Sequence, residues 1–305
     1  MSQSNRNQPL RASSSESKYT LFEFDQDFPD DAACLDWLVS HLYPDGIYCP
    51  KCETVTKHHR VRARTCYECQ HCGHQEYPMK GTIFEGSATS LRLWFHAMFL
   101  MAQTRGGISA KQLERELGVT YKTAWRMFNK IRTLLGEDVD GMSGTVEADE
   151  TYMGGRRRGT PRGRPGPSSH KTAVFGAVER GGRVFAVTVP NVRRVSIMPH
   201  VTKRVLPSTL VYTDELKTYD SLSRDGYQHS RVNHSEQVYV AGDVHVNTME
   251  GFWSLVKRGI GGVYHPVSSK YLQSYFDEYS FRYNHRKDEQ GMFSAFLGRV
   301  EKGLS

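Results

Sequence analysis

Five of the chain's six cysteines fall within one short stretch, and four of them form two Cys-x2-Cys knuckles, Cys49-Pro-Lys-Cys52 and Cys69-Gln-His-Cys72. Sixteen residues separate the knuckles, a spacing inside the range of four-cysteine zinc sites. Tetrahedral zinc needs four soft donors at one point, and two knuckles on facing hairpins supply them without a large core. Cys66 leaves the ligand set open, because Cys66-x2-Cys69 is also a legal knuckle. Gly73, directly after Cys72, suits the tight turn that closes the later knuckle, which favours Cys49, Cys52, Cys69 and Cys72 around a structural Zn2+. The arm between the knuckles carries Arg60, Arg62 and Arg64 at alternate positions, placed for phosphate contact. Zinc that only folds its module would need the same cysteines.

The formal net charge of +7 favours an anionic partner, since clustered Lys and Arg gain affinity for polyphosphate by releasing counterions. Charge alone does not name that partner. The most apolar helical stretch, residues 91–102, is interrupted by Arg92 and His96 and is too short to span a bilayer, so no membrane partner is expected. No secretory signal is visible, and crowded cysteines in a reducing compartment read as metal ligands; the expected location is cytoplasmic.

Residues 1–18 are polar and read as a disordered tail. Helical spacing over 21–43 predicts a short helix leading into a zinc-ribbon domain, residues 19–86. A helical region, 87–140, follows, with a helix over 91–104 and a pair over 108–135 broken at Gly118-Val119-Thr120. That pair has the rhythm of a helix-turn-helix: Leu113, Leu117, Val119 and Ala124 would pack the corner, and the second helix would present Tyr121, Lys122 and Arg126 to DNA. An ordinary helical hairpin in a core has a similar pattern.

After Gly136 the pattern turns to strands, over 145–149, 172–178 and 183–189, then a helix over 196–205, a strand over 209–213, and helices over 246–257 and 268–284. The order fits an α/β sheet with an antiparallel edge, occupying residues 141–305. Three carboxylates stand out within it. Asp149 ends the first β run, Asp214 ends the strand after the first helix, and Glu250 lies on a later helix with Lys257 two turns on, on the same face. Phosphodiester cleavage by two metal ions requires hard oxygen ligands from such separated elements. Glu150 and Glu215 compete for the role, and strand alternation implies that only one member of each adjacent pair serves. A Gly/Pro-punctuated basic insert over 155–171, with Arg156, Arg157 and Arg158, is expected to order over DNA or to remain a solvated loop.

Three blocks, Val146 through Gly155, Tyr212-Thr213-Asp214-Glu215, and His245 through Arg258, resemble the catalytic blocks of a bacterial insertion-sequence transposase family. Tyr279 to Arg286 resembles that family's closing helix. The family joins an N-terminal zinc ribbon to a DDE core and is related to the eukaryotic Merlin elements; the likeness runs from about Leu21 to Phe296. It implies a ribonuclease-H-like catalytic fold in the α/β class, with Asp149, Asp214 and Glu250 binding Mg2+ or Mn2+, and Lys257 and Arg258 near DNA. Thirty-five residues lie between Asp214 and Glu250, in keeping with that core. Some members of the family use Asn as the third ligand, which keeps Asn247 as a minor alternative. The implied activity is cleavage at transposon ends and strand transfer of the 3′-hydroxyl, on double-stranded DNA comprising terminal inverted repeats and a target, by a homodimer assembled on DNA. The alternatives are a nuclease of the same fold without strand transfer and a DNA-binding regulator built on a retired transposase.

Overall fold

The computed structural model of the chain describes residues 19–104, 106–154, 171–214, 216–231, 246–264 and 267–303. The expected tail, the three arginines 156–158, Glu215 and His245 lie outside the described residues.

In chain order the elements are α1 (Leu21–Asp27), α2 (Asp31–Leu42), β1 (Tyr48–Cys49), β2 (Thr54–Val55), β3 (His58–Val61), β4 (Cys66–Cys69), β5 (Gln75–Glu76), α3 (Leu91–Gln103), α4 (Ala110–Leu117) and α5 (Tyr121–Thr133). They continue as β6 (Thr145–Met153), β7 (Thr172–Glu179), β8 (Val184–Val189), α6 (Arg194–Arg204), β9 (Leu210–Thr213), β10 (Gln228–Arg231), α7 (Asn247–Gly259), α8 (Ser269–Asn284) and α9 (Gly291–Leu297). They form two compact units, one from the chain up to Phe99 together with the stretch from Lys287, the other Leu100–Arg286. The contacts thus divide the chain at points other than 86 and 140, and α9 belongs with the ribbon unit.

In the first unit, the single leading helix expected over 21–43 is two helices. Thr20 and Glu23 form a reciprocal capping box on α1, and Pro29 and the N-cap Asp30, whose carboxylate accepts from Ala33 N at 2.8 Å, restart the chain as α2. Phe24, Phe28, Phe95, Phe99 and Phe293 then stack against one another with ring centroids 5.0–6.1 Å apart. The ribbon carries a β1–β2 hairpin and a β3–β4–β5 sheet.

In the second unit, a five-stranded sheet has the order β10-β9-β6-β7-β8. β6, β7 and β8 pair antiparallel in succession, while β9 returns parallel to β6 and β10 parallel to β9. Three meandering strands followed by two parallel crossover strands are the arrangement of a ribonuclease-H-like core. Each sheet face is covered. Val146, Ala148, Phe175 and Phe185 pack with Ile197 and Val201 of α6 on one side, and Val174, Val178 and Val184 pack with Trp253, Val256, Leu272 and Phe276 on the other. β6 is longer than the run expected to stop at Asp149, because Glu150, Thr151 and Tyr152 keep pairing with Phe175, Val174 and Ala173 of β7.

The helix pair is built by its caps. Ser109 and Thr120 accept from Gln112 N and Thr123 N, and Gly118, at φ +64°, takes the left-handed conformation that closes α4. Leu113, Leu117 and Ala124 are buried at the corner. On the inner side of α5, the fully buried Arg132 guanidinium lies 3.5 Å from the Tyr275 ring centroid and 3.8 Å from that of Phe128, and its Nε donates to Glu278 at 2.7 Å. Burial disfavours the Glu278 carboxylate, but Arg132 and Arg282 on either side hold it below the usual range. Arg282 in turn donates to the Met101 and Ala102 carbonyls at the end of α3. Glu278→Ala would strand two buried guanidinium groups and is expected to lower the unfolding free energy by about 3–5 kcal/mol, read from denaturant midpoints.

Candidate active site and metal centres

The ribbon brings four sulfurs together. Those of Cys49, Cys52, Cys69 and Cys72 all lie within 4.8 Å of one another, with Cys49 to Cys72 at 3.4 Å and Cys52 to Cys69 at 3.9 Å. Each knuckle is a tight turn: Cys52 N donates to Cys49 O, and Gly73 N, at φ +69°, donates to Cys69 O at 3.0 Å. Cys66 is buried on β4 opposite Val61 and is not in the group. The Thr56 hydroxyl, 3.1 Å from the Cys69 sulfur, draws that thiol down to about 5, whereas hydrogen bonding to Cys72 pushes Cys52 up to about 12. Four converging sulfurs are the tetrahedral donor set that suits zinc. On the intervening arm, Arg62 and Arg64 are exposed, while Arg60 turns back toward Asp36 of α2 at 3.8 Å.

The acidic site follows from the register of the parallel pair. β9 runs beside β6 with Thr145 opposite Leu210, Val146 opposite Val211 and Glu147 opposite Tyr212. Two residues further along each strand stand Asp149 and Asp214. β9 has ended at Thr213 while β6 continues to Met153, so the flank of β6 is open there. Carboxylate oxygens of Asp149, Glu150 and Asp214 lie within 4.8 Å of one another. Asp149 and Glu150 leave opposite faces of β6, yet beyond the end of β9 oxygens of both come within 4.8 Å of Asp214. Leu216 N donates to Asp214 Oδ1 at 3.0 Å, Trp253 Nε1 to Asp149 Oδ2 at 3.0 Å, and the buried Tyr219 hydroxyl to Glu150 Oε2 at 2.7 Å. Burial and then the charge of Asp214 raise Asp149 to about 6 and Glu150 to about 8.

Helix α7 forms the opposite wall. A cleft of about 570 Å³ is lined by Asp149, Glu150 and Thr151 from β6 and by Glu250, Trp253, Ser254, Lys257 and Arg258 from α7. Glu250, Trp253 and Lys257 share one helix face. Glu250 is exposed in the first turn, and its charge adds to the rise at Asp149, although its carboxylate is not one of the three within 4.8 Å. Asn247 is exposed at the start of the helix. A second cleft, of about 450 Å³, continues past Glu150 and Lys257 toward Gly154, Lys171 and Gly261.

Two groups at this site were not read from the sequence. Glu147, fully buried, accepts from Thr248 N at 2.8 Å, Met249 N at 3.0 Å and Arg180 Nε at 2.7 Å. Trp253 lies over Gly176, the β7 partner of Asp149, where a Cβ would come within 2.8 Å of the indole. An acid amid apolar strand residues, two positions before Asp149, was the available signal for the first; the i, i+3 spacing from Glu250 was the signal for the second. Away from the cleft, Tyr121, Lys122, Trp125 and Arg126 form an exposed face of α5.

A ribonuclease-H-like sheet with two neighbouring strand aspartates and an acid-bearing helix across a cleft is a layout shared by nucleases and DDE transposases. Residues 141–284 match the ISXO2-like transposase domain, and residues 29–75 match the transposase zinc-ribbon domain. The chain belongs to the ISXO2-like transposases and is a DNA transposase. It is 31% identical over 271 residues, 84% of this chain and 91% of the relative, to an uncharacterized protein in transposable element ISH50 of Halobacterium salinarum. It is 29% identical over 121 residues, 40% of this chain and 95% of the relative, to an uncharacterized transposase-like protein of Haemophilus influenzae. The crystal structure of the mariner Mos1 paired end complex with Mg aligns over 62% of this chain and 70% of that one, with 13% identity and a TM-score of 0.30, too low to carry the assignment. No helix among the described residues is long and apolar enough to cross a membrane.

Chelation with a strong zinc ligand is expected to unfold the ribbon while leaving the Leu100–Arg286 unit folded, seen as loss of amide protection confined to residues 45–76.

Proposed function

We propose that the chain cuts phosphodiesters at the ends of its own mobile element and joins the freed 3′-hydroxyl to target DNA, with Asp149, Asp214 and Glu250 as the ligands of Mg2+ or Mn2+. The observation that carries this reading is the meeting of Asp149 and Asp214 at the mouth of a cleft whose far wall bears Glu250 and Lys257. Close, partly buried carboxylates whose ionisation is held back by burial and by one another fit a divalent cation, which removes both penalties. Bound there, such ions activate an attacking oxygen and stabilise the leaving one.

The chain's own groups have separate tasks. Trp253 orients Asp149, and the backbone N–H of Leu216 orients Asp214. Lys257 and Arg258 hold the phosphates flanking the scissile one, and the second cleft continues the strand's path past Lys257. Water attacks phosphorus as the bond to the 3′ oxygen breaks; in the second reaction that 3′-hydroxyl attacks a target phosphodiester, displacing its 3′ oxygen. Zinc at Cys49, Cys52, Cys69 and Cys72 is structural. Tyr121, Lys122 and Arg126 of α5, with Arg60, Arg62 and Arg64 of the ribbon and Arg156, Arg157 and Arg158 of the insert, contact DNA, and two copies act on paired ends in the cytoplasm.

A second ligand arrangement is favoured by the close group itself, in which Glu150 is the third carboxylate in place of Glu250. The deciding experiment assays cleavage and, separately, strand transfer of pre-cleaved ends with Mg2+ or Mn2+. Asp149→Asn is expected to lose both reactions while still binding DNA; retention of either would end the proposal. Loss on Glu250→Gln with retention on Glu150→Gln assigns the third ligand to Glu250, and the reverse assigns it to Glu150. For the α5 face, Lys122→Ala and Arg126→Ala are each expected to weaken binding and to reduce the slope of log K against log salt by about 1.

A further inference from the structure

The helix that carries Glu250 lacks a cap of its own. Val246, at its N-cap, is apolar and makes no side-chain cap hydrogen bond, which leaves the first-turn amides to find partners elsewhere. Glu147 takes that place from β6, about a hundred residues earlier in the chain. Its Oε2 accepts from the backbone N–H of Thr248 at 2.8 Å and of Met249 at 3.0 Å, and its Oε1 accepts from the Thr248 hydroxyl at 2.9 Å. Arg180, at the end of β7, donates its Nε to the same Oε1 at 2.7 Å and lies over the Tyr212 ring of β9 at 4.7 Å. The carboxylate is wholly buried, so these bonds are not shared with bulk water. It also presents negative charge to the positive end of the helix.

Glu147 and Asp149 sit on the same face of β6, and Glu250 directly follows the capped residue Met249. The bond from Trp253 to Asp149 and the absence of a side chain at Gly176 fix the helix one turn further along. We infer that Glu147, braced by Arg180, is the positioning residue of the active site: it sets the distance between Glu250 on α7 and Asp149 on β6. The inference rests on the reading of Glu250 as a metal ligand. Glu147 touches neither substrate nor metal in this role; it acts through the helix. Misplacement of a reacting group by about 1 Å can cost about 100-fold in rate, so a loose helix start would be expressed in the chemical step before it was expressed in DNA binding.

The test compares Glu147→Ala, Glu147→Gln and Glu250→Gln with the full-length wild type. In zinc-loaded protein without added Mg2+ or Mn2+, amide exchange at Thr248 and Met249 is expected to quicken in Glu147→Ala, with exchange in β6 and β7 unchanged. Affinity for the element's end is expected to stay within about twofold of wild type. The single-turnover cleavage rate at saturating DNA is expected to fall about 100-fold, and the Mn2+ concentration giving half-maximal cleavage to rise. Glu147→Gln, which keeps the shape and one acceptor oxygen but loses the charge facing Arg180, should recover part of the rate. It also serves as the folded comparison if the alanine variant does not fold. Wild-type rate and Mn2+ midpoint in either folded Glu147 variant, alongside an inactive Glu250→Gln, would overturn the positioning role alone. A Glu250→Gln enzyme that cleaves at the wild-type rate would overturn the reading of the site and this inference with it.

Discussion

Two neighbouring parallel strands of unequal length organise the catalytic unit. β6 runs on to Met153 while β9 stops at Thr213, and their shared register carries Asp214 level with Asp149 just where hydrogen bonding between them has ended. Within a continuous ladder, adjacent residues are kept on opposite faces of the sheet. Past the end of β9 no neighbouring strand lies along that flank of β6, and carboxylates from both of its faces converge beside Asp214. Concentrating negative charge in this way works against folding, and the protein opposes it locally with the indole N–H of Trp253 and the phenol of Tyr219.

A second acid, Glu147, shows how the same residue type serves a different end when its surroundings change. It is more deeply buried than Asp149, yet it is met by two backbone amides, a hydroxyl and a guanidinium, whereas Asp149 faces other carboxylates. One environment satisfies the charge and ties a helix to a strand. The other leaves charge seeking a cation.

Much of this was legible in the sequence, for identifiable reasons. The cysteine knuckles were readable because zinc geometry is local, and the convergence of Cys49, Cys52, Cys69 and Cys72 agrees with the set favoured by Gly73. The strands and helices of the catalytic unit could be placed because Val, Phe and Ala runs such as Ala173–Val178 are buried on both faces of a covered sheet. Other features depend on pairing between distant segments, which periodicity does not report. The length of β6 is set by β7, the company of Glu150 by the end of β9, and the role of Glu147 by a helix a hundred residues away. The break at Pro29 and Asp30 was visible as residues but was outweighed by the apolar rhythm running across it.

Arg132 carries a mechanical consequence. Its guanidinium is enclosed by Phe128, Tyr264 and Tyr275 and bonded to Glu278, so pivoting α5 on α8 would part a buried charge from its carboxylate. Tyr264 closes the π-helical turn Ile260–Tyr264 that continues α7, which ties the same cage to the wall bearing Lys257. The outer face of α5 is thereby held at a fixed offset from the cleft, like stock against a stop on a saw.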